Sequence, residues 1–328
     1  MPREVPYATP PEQRLTNVER PMTAVELAAM GDPPVFRIGD VALDDSVFGG
    51  LGQTIELDLV IADVIPLDRQ IAAGRFPPSG AVPLQPGVSA IARRDDSVLV
   101  SVQGGHAAMG FRRPGCFATR FLAPAALCVP LPNGLSVEVA AAGTETAITA
   151  LLILTDHAQL LAGETVLVLG ANGGVGRACV QLAVSLGGEV IAAARAPEAL
   201  DVPAGVRTVS YDAITGLNAD VIVDPVGGAL FQSAILAGGH RCRHVFLGYN
   251  AGAVVELRLP LLMIAEHRIL GFNEHAVAQD RFVAATRTAL ELLAAGTLSP
   301  VVESTFALSD IAAAYAAASS SGRTLLVP

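Results

Sequence analysis

The clearest hydrophobic pattern in the chain lies between residues 165 and 195. Residues 166–169 are all apolar, which is typical of a parallel strand buried on both faces. A glycine-rich turn follows, and apolar residues then recur at i, i+3, i+4 and i+7 from Cys179 to Leu186, which predicts an amphipathic helix. A second apolar run, residues 190–194, predicts the next strand. The segment is therefore predicted to form a strand, a glycine turn, a helix and a strand.

The pattern before this segment predicts strands, and the pattern after it predicts both strands and helices. Glycine and proline separate short apolar or alternating runs between residue 35 and about residue 130, among them 54–62 and 97–102. Helices are predicted over 137–161 and over 282–295, the second ended by Gly296 and followed by an alanine-rich helix capped by Ser309. The remaining predicted strands are 206–211, 219–224, 244–248, 268–273, 300–306 and 323–327.

The fold class expected from these elements is α/β. Six strands, including the two around the glycine turn, are the number found in a full doubly wound parallel sheet of the Rossmann type. An all-β module precedes that sheet. At 328 residues the chain is long enough for two domains.

The glycine turn carries the first chemical prediction. Gly170, Gly173, Gly174 and Gly176 cluster between a strand and the start of a helix, where free N–H groups and the helix dipole form an anion site suited to a pyrophosphate. Glycines also serve ordinary turns, but the flanking strand, helix and strand are the context that a dinucleotide motif requires.

The end of the second strand indicates which dinucleotide binds. A carboxylate that would accept from the ribose 2′-hydroxyl of NAD is absent there, and the run ends in Arg195. A guanidinium can bind a 2′-phosphate through two hydrogen bonds, so the sequence favours NADPH over NADH. The alternative is a solvated arginine at a strand end.

Composition and charge argue against several classes of binding partner. The formal net charge is −10, which argues against nucleic acid and anionic membranes. No apolar run reaches the ~18 residues of a membrane span; the longest, 137–154, contains Glu138 and Glu145. Four cysteines without Cys-x-x-Cys spacing and the absence of a signal-like start predict reduced thiols and a cytoplasmic location. Residues 1–20, polar and proline-rich, predict a flexible arm.

Several motifs, taken in order, resemble the medium-chain dehydrogenase/reductase superfamily, and within it the zinc-independent quinone oxidoreductases and enoyl reductases. They are the segments 66–77, 86–87, 115–121 and 129–135, the glycine motif 171–176 (A-N-G-G-V-G) and the segment 224–228 (D-P-V-G-G). The resemblance implies a mostly β, GroES-like substrate domain from residues 21–134 and 275–328, and a Rossmann domain from 135–274. The cysteine and Gly-His-Glu segments of the zinc members are absent, which implies that no metal is bound.

The resemblance also implies a set of site residues. Asp68, Gln70 and Thr149 are the expected catalytic residues. Thr149 is expected near the nicotinamide, with Thr144 and Thr146 as neighbouring alternatives. Asp68 and Gln70 belong to the segment that lines the substrate pocket, and the alternative for Asp68 is that it serves only to hold this loop. The cofactor is expected to contact the glycine turn and the ends of the strands, through Gly170, Ala171, Asn172, Gly173, Gly174, Val175, Arg195, Pro225, Val226, Gly248, Tyr249, Phe272 and Asn273.

One segment departs from the family pattern. Related oxidoreductases begin it with Asn and often end it with Tyr, where this chain has Ile65 and Gln70. Ile65 cannot donate a hydrogen bond, and Gln70 is no practical acid. The proton donor therefore stays open among water, Tyr249, His106 and His275.

The function expected is hydride transfer from NADPH to a quinone or an α,β-unsaturated carbonyl, without zinc and in a homodimer. Ile65 and Gln70 motivate an alternative, which is a nucleotide-binding protein of the same fold with a degenerate, non-redox site and a binding or regulatory role.

Overall fold

The computed structural model describes residues 22–41, 45–76, 82–105, 107–319 and 321–328. The arm predicted for residues 1–20 and the candidate donor His106 lie outside the described residues. Fifteen strands are formed in the described part: β1 Thr23–Ala29, β2 Val35–Asp40, β3 Thr54–Asp63, β4 Ser89–Arg93, β5 Leu99–Gln103, β6 Arg120–Pro124, β7 Cys128–Pro130, β8 Thr165–Leu169, β9 Glu189–Ala194, β10 Arg207–Ser210, β11 Ala219–Asp224, β12 Gly238–Phe246, β13 Arg268–Gly271, β14 Val302–Ala307 and β15 Arg323–Val327.

Within the described ranges, seven α-helices lie between these strands. They are α1 Pro66–Ala72, α2 Val137–Leu151, α3 Gly174–Ser185, α4 Ala229–Ala237, α5 Leu259–Ala265, α6 Gln279–Ala294 and α7 Ile311–Ala317. A single π-helical stretch, Leu152–His157, continues α2. Gly296 ends α6 as predicted, with φ +71° and its N–H bonded to Leu293 O.

The six predicted strands of the doubly wound sheet are present. They are β8 to β13, all parallel, in the order β10-β9-β8-β11-β12-β13. In this order the first strand lies in the middle and the chain winds outward to both sides, as in a Rossmann sheet. The strand ends at β8 and β11 form the switch point where ligands bind such sheets. The fold-class prediction is therefore confirmed for this sheet.

The second sheet has seven strands in the order β14-β15-β3-β4-β5-β7, with β6 paired to β3. Only β14 and β15 run parallel to each other within it, and the hairpin β1–β2 stands beside it as a two-stranded sheet. The C-terminal strands thus join strands from the first half of the chain. The predicted boundaries at 134/135 and 274/275 stay a prediction.

Helix α2 is the core element that the two sheets share. It packs on α3, α6 and β3, and eleven of its fifteen residues are buried. With its π-helical continuation it spans Val137–His157, which is long and apolar enough to cross a membrane by length and composition alone. The sequence-based statement that no run is long enough was therefore wrong. Because 78% of its most apolar window is buried inside the protein, the segment has the character of a core helix.

Three element boundaries differ from prediction for local reasons. Ser97 was assigned to a strand but has φ +67° in the β4–β5 turn, where its N–H bonds Arg94 O. Ser309 lies in the 3-10 turn Leu308–Asp310, so the residue before α7 is Asp310 and Ser309 is not its cap. Strand β12 starts at Gly238 rather than residue 244, because pairing with β11 extends it through a polar stretch that periodicity does not reveal.

Candidate active site

The glycine turn connects β8 to α3 and opens a cleft. Gly170 takes φ +60°, and a Cβ on Gly176 would lie 2.1 Å from Gly170 O, so only a glycine allows the helix to approach the strand end this closely. Gly173 precedes α3 without a capping side chain. The N–H groups of the first helical turn, from Gly174 to Gly176, are therefore available to an anion. This cradle fits the pyrophosphate of a dinucleotide.

The cleft has a volume of about 1410 Å³ and extends from this turn to the seven-stranded sheet. Most of the predicted site residues line it. They are Gln70, Thr149, Gly170, Asn172, Gly173, Gly174, Val175, Arg195, Pro225, Val226, Gly248, Tyr249, Phe272 and Asn273. Ala171 is buried behind the turn and is not part of the cleft wall.

Arg195 follows the end of β9, at the rim of the cleft. Its side chain is exposed and forms no ion pair with a carboxylate of the described residues, so its charge is available to a ligand. Tyr211 follows β10 and lines the same rim. Burial raises the pKa of the Tyr211 hydroxyl, while its bond to the Gly170 backbone and the charge of Arg195 lower it. Arg195 and Tyr211 are therefore close neighbours beside the glycine turn.

The wall beyond the glycine turn is held in place by a buried aspartate. Asp224, the last residue of β11, accepts hydrogen bonds at Oδ1 from the N–H groups of Val226 (2.8 Å) and Gly227 (2.9 Å). Its Oδ2 lies 3.3 Å from Nε2 of His244, and both side chains are fully buried. A Cβ on Gly248 would lie 2.0 Å from Pro225 O, so the turns after β11 and β12 are packed backbone against backbone.

The segment 65–70 forms the opposite wall, but it does not present Asp68. That side chain is 1% exposed and does not line the cleft. Its Oδ2 accepts from the N–H of Ile65 at 3.0 Å and so fixes the start of α1. The structure thus brings Gln70 to the predicted pocket and places Asp68 behind it, in a role that holds the loop. Gln70 Nε2 donates to Asn250 Oδ1 at 3.0 Å, which joins this wall to the turn after β12.

The inner end of the cleft holds a network of acids around α2. Thr149, 2% exposed, donates from Oγ1 to Glu274 Oε2 at 2.8 Å. Glu145 lies one turn earlier and accepts from Arg323 at 3.1 Å, and Arg323 also lies 2.8 Å from Asp63. Thr144 and Thr146 instead bond carbonyls of their own helix and are absent from the cleft wall, which leaves Thr149 as the threonine that faces it.

Desolvation dominates the titration of these acids. Burial raises the pKa of Asp63 to about 7, although Arg323 opposes the shift. Burial also raises the pKa of Asp68 to about 8, against the lowering effect of the Ile65 N–H. For Glu274, burial and the nearby charge of Glu145 raise the pKa to about 8, while the hydrogen bond from Thr149 lowers it.

Aromatic rings complete the inner end. Phe111 packs against Phe76 and His275, with ring centroids 5.7 Å and 5.0 Å apart. Arg112 is an exposed residue of the same wall. Arg113 donates hydrogen bonds to backbone carbonyl groups, from Nε to Val47 O at 2.9 Å and from Nη1 to Ala107 O at 2.6 Å. These rings contact one another and form an aromatic wall at the inner end of the cleft.

Comparison with known proteins finds similar sequences among dehydrogenases, reductases and polyketide synthases. Residues 168–325 match the family model described as zinc-binding dehydrogenase. A highly reducing polyketide synthase of Purpureocillium lilacinum is 46% identical over 76 residues, 23% of this chain and 3% of the synthase. Prostaglandin reductase-3 of Bos taurus is 29% identical over 208 residues, 56% of this chain and 52% of the reductase. The chain therefore spans about half or less of the length of these curated relatives.

Solved structures extend the likeness to almost the whole chain. The quinone oxidoreductase of Thermus thermophilus, solved also in complex with NADPH, superposes with a TM-score of 0.78 at 24% identity. The match covers 93% of this chain and 100% of that protein. The chain therefore has the fold of the quinone oxidoreductases, the group within the medium-chain dehydrogenase/reductase superfamily that its sequence motifs resemble. As the resemblance implied, the Rossmann sheet is joined to a mostly β, GroES-like part.

Three residues of the cleft were not singled out as site residues from the sequence. Tyr211 follows a strand end, the position that marks ligand contacts in such sheets, so the strand rule could have found it. Glu274 directly follows the predicted strand 268–273, so the same rule could have found it, whereas Glu145 lies within α2 and carries no such signal.

Proposed function

We propose that the protein is an NADPH-dependent oxidoreductase that transfers hydride to an α,β-unsaturated carbonyl or a quinone without a metal. The observation that carries the proposal is the continuous cleft, which begins at the helix N-terminus of α3 and ends at Thr149, Glu274 and the aromatic rings. Val226 and Phe272, at the strand ends, would hold the reactive end of a dinucleotide whose pyrophosphate is bound at α3. The substrate would then fill the inner end of the cleft.

NADPH is favoured as cofactor by Arg195 and by the solved relative that binds it. The guanidinium stands at the end of β9, where a 2′-phosphate on the adenosine ribose is bound in Rossmann sheets. The glycine turn would hold the pyrophosphate, and Phe272 and Asn273 would border the nicotinamide. The cofactor, when bound, supplies the hydride; the chain's residues orient both molecules and exclude water.

We propose that no metal takes part in the reaction, because the described side chains that could bind one are not clustered. Within the described ranges no group of three or more His, Cys, Asp or Glu side chains is arranged to hold a metal ion. The four cysteines lie on four different segments, which are the loop before β6, strand β7, helix α3 and strand β12, and three of them are buried. A metal assay of the purified protein tests this, because zinc at one equivalent per chain would contradict the proposal.

A second candidate is a non-redox protein that binds the nucleotide for a regulatory purpose. Ile65 is a buried apolar side chain, and the amide of Gln70 is engaged by Asn250, so this wall offers the substrate few hydrogen bonds. Such a protein would bind NADPH and leave it unoxidised.

The experiment that separates the two candidates has two stages. The purified protein is titrated with NADPH and NADH, and the absorbance of NADPH is then followed with a panel of quinones and enones. Tight NADPH binding with oxidation by an acceptor supports the reductase and identifies its substrate class. Binding without oxidation by any acceptor supports the non-redox candidate, and failure to bind either nucleotide contradicts both.

A further inference from the structure

The inner end of the cleft contains a carboxyl group that the resemblance does not predict. Glu274 comes directly after Asn273, on the turn that follows β13, and lines the cleft with Thr149. The Thr149 hydroxyl donates to its Oε2 at 2.8 Å, which leaves Oε1 as the oxygen that can carry a proton. Glu274 therefore lies in the cleft wall between the predicted nicotinamide residue Asn273 and Thr149.

The surroundings of Glu274 favour a neutral carboxyl. Glu145 faces it from α2, and the positive charge of Arg323 is shared between Glu145 and Asp63. No arginine of the described residues forms an ion pair with Glu274. On the other side lie Gly105 and the ring of His275. Burial and Glu145 together hold the pKa of Glu274 at about 8, so the carboxyl is mostly protonated at neutral pH.

The space beside Oε1 is kept open by a glycine. A Cβ on Gly105 would lie 3.0 Å from Glu274 Oε1 and 3.2 Å from His275 Nδ1, which is closer than most real Cβ contacts. Gly105 itself lines the cleft. A larger side chain there would press on the carboxyl.

The other described candidates for proton transfer are less suitably placed. The Tyr249 hydroxyl donates to Arg75 O at 3.4 Å, and the residue is 39% exposed at the outer wall. His275 Nδ1 lies 2.7 Å from Gly105 O, so in the neutral ring this nitrogen carries the hydrogen and the other nitrogen is an acceptor. A neutral His275 therefore has its donor N–H directed to the backbone.

We propose that Glu274 is the proton donor of this site, held by Thr149, for the reduction of an α,β-unsaturated carbonyl. The proposal rests on the proposed function. The substrate receives a hydride at its β-carbon, and the electrons of the C=C bond move to the α-carbon and carbonyl oxygen as an enolate. The O–H bond of Glu274 breaks and a C–H bond forms at the α-carbon. The carboxylate then takes a proton from solvent water through the cleft, so charge and atoms balance.

The test compares Glu274→Gln with the wild type and with Glu291→Gln, an exposed glutamate on α6, as the matched control. Glutamine keeps the size and the acceptor for Thr149 and has no acidic proton. The expected result is a kcat on the reactive enones of the panel that falls about 10²- to 10⁴-fold in Glu274→Gln, with an unchanged dissociation constant for NADPH. The control should keep the wild-type kcat.

The pH profile of kcat and an infrared spectrum distinguish a proton donor from a residue with a merely structural role. Replacing a purely structural Glu274 would change neither of them. The donor must be protonated, so wild-type kcat should fall as pH rises through about 8. The Glu274→Gln variant should lose that limb. Without cofactor or substrate, the infrared difference spectrum between wild type and variant at pH 7 should contain the C=O band of a protonated carboxyl.

The outcomes separate failure of this proposal from failure of the proposed function. Wild-type kcat retained in Glu274→Gln, or no protonated-carboxyl band at pH 7, overturns the assignment of Glu274 and leaves the reductase standing. A wild type that binds NADPH and reduces no enone overturns the assignment together with enone reduction as the function. In that case an infrared band would show that Glu274 is protonated, but not that it donates a proton to a substrate.

Discussion

Arg195 is the residue on which the choice of cofactor depends. Its exposed guanidinium stands at the end of β9 with no ion pair to a described carboxylate, so a 2′-phosphate would gain charge-assisted hydrogen bonds there. Arg195→Ala should weaken NADPH binding by about 2 kcal/mol, roughly thirtyfold, and leave NADH binding almost unchanged. Fluorescence titration with both nucleotides measures the difference.

A matched control for this variant is Arg207→Ala. Arg207 is also exposed but starts β10, at the opposite end of the sheet from the cleft, so it should leave both affinities unchanged. Equal losses for NADPH and NADH in Arg195→Ala would show that Arg195 does not bind the 2′-phosphate.

Asp68 is a residue whose effect should appear in stability rather than in catalysis. Burial raises its pKa in the folded protein to about 8 from 3.8, so between these values the folded state holds a proton that the unfolded state has lost. The stability from this proton is fully present below about pH 4 and is lost as pH rises toward 8, by up to about 1.4 kcal/mol per pH unit.

Asp68→Asn removes this titration and keeps an oxygen for the Ile65 N–H. Urea unfolding at pH 5, 6, 7 and 8 should therefore show a free energy of unfolding that declines less steeply with pH in the variant than in the wild type. The exposed Asp212→Asn serves as control and should follow the wild type. Parallel pH dependence in Asp68→Asn and wild type would contradict the raised pKa.

Among the elements, the β8–turn–α3 unit depends on one close backbone approach. A Cβ on Gly176 would lie 2.1 Å from Gly170 O, and neither atom belongs to a flexible side chain. Gly176→Ala should therefore push the helix start away from the strand, lower the free energy of unfolding by about 1–3 kcal/mol and weaken NADPH at least tenfold. Denaturant unfolding and the same fluorescence titration measure both effects.

Gly39→Ala is the matched control for the glycine turn, because a Cβ at Gly39 meets nothing within 4 Å and the backbone there is ordinary strand. Unchanged stability and affinity are expected for it. If Gly176→Ala bound NADPH as the wild type does, the close approach would not be needed for the cofactor site.

At the scale of elements, the structure also shows which parts of the site can be predicted from the sequence. The glycine turn and strand ends were found because each is local: a strand, a turn and a helix start lie within about ten residues, and parallel strands bring their ends to one edge. Asp68 was expected at the cleft from its place in a motif, but its use as an acceptor for Ile65 turns it inward. Glu274 and Glu145 become neighbours only through tertiary packing, so the hydrophobic pattern of the sequence does not indicate that they are close together.

At the scale of the whole molecule, the Rossmann sheet ends in an edge that has no described neighbour. Strand β13 pairs with β12 on one side only, and α5 near it exposes Leu259 (70%), Met263 (73%) and Ile264 (73%). Unpaired strand edges and exposed apolar side chains are features that oligomers cover. We propose a homodimer in which two β13 edges pair across a twofold axis and the apolar residues of α5 are buried.

The double variant Met263→Glu/Ile264→Glu tests this interface, because charges introduced on both partners would meet at the twofold axis or be desolvated there. Light scattering on a sizing column should give twice the mass of one chain for the wild type and the mass of one chain for the double variant. Leu161→Glu, at an exposed position outside the Rossmann strands, should stay dimeric. A wild type with the mass of one chain, or a double variant that remains dimeric, would contradict an interface at β13 and α5.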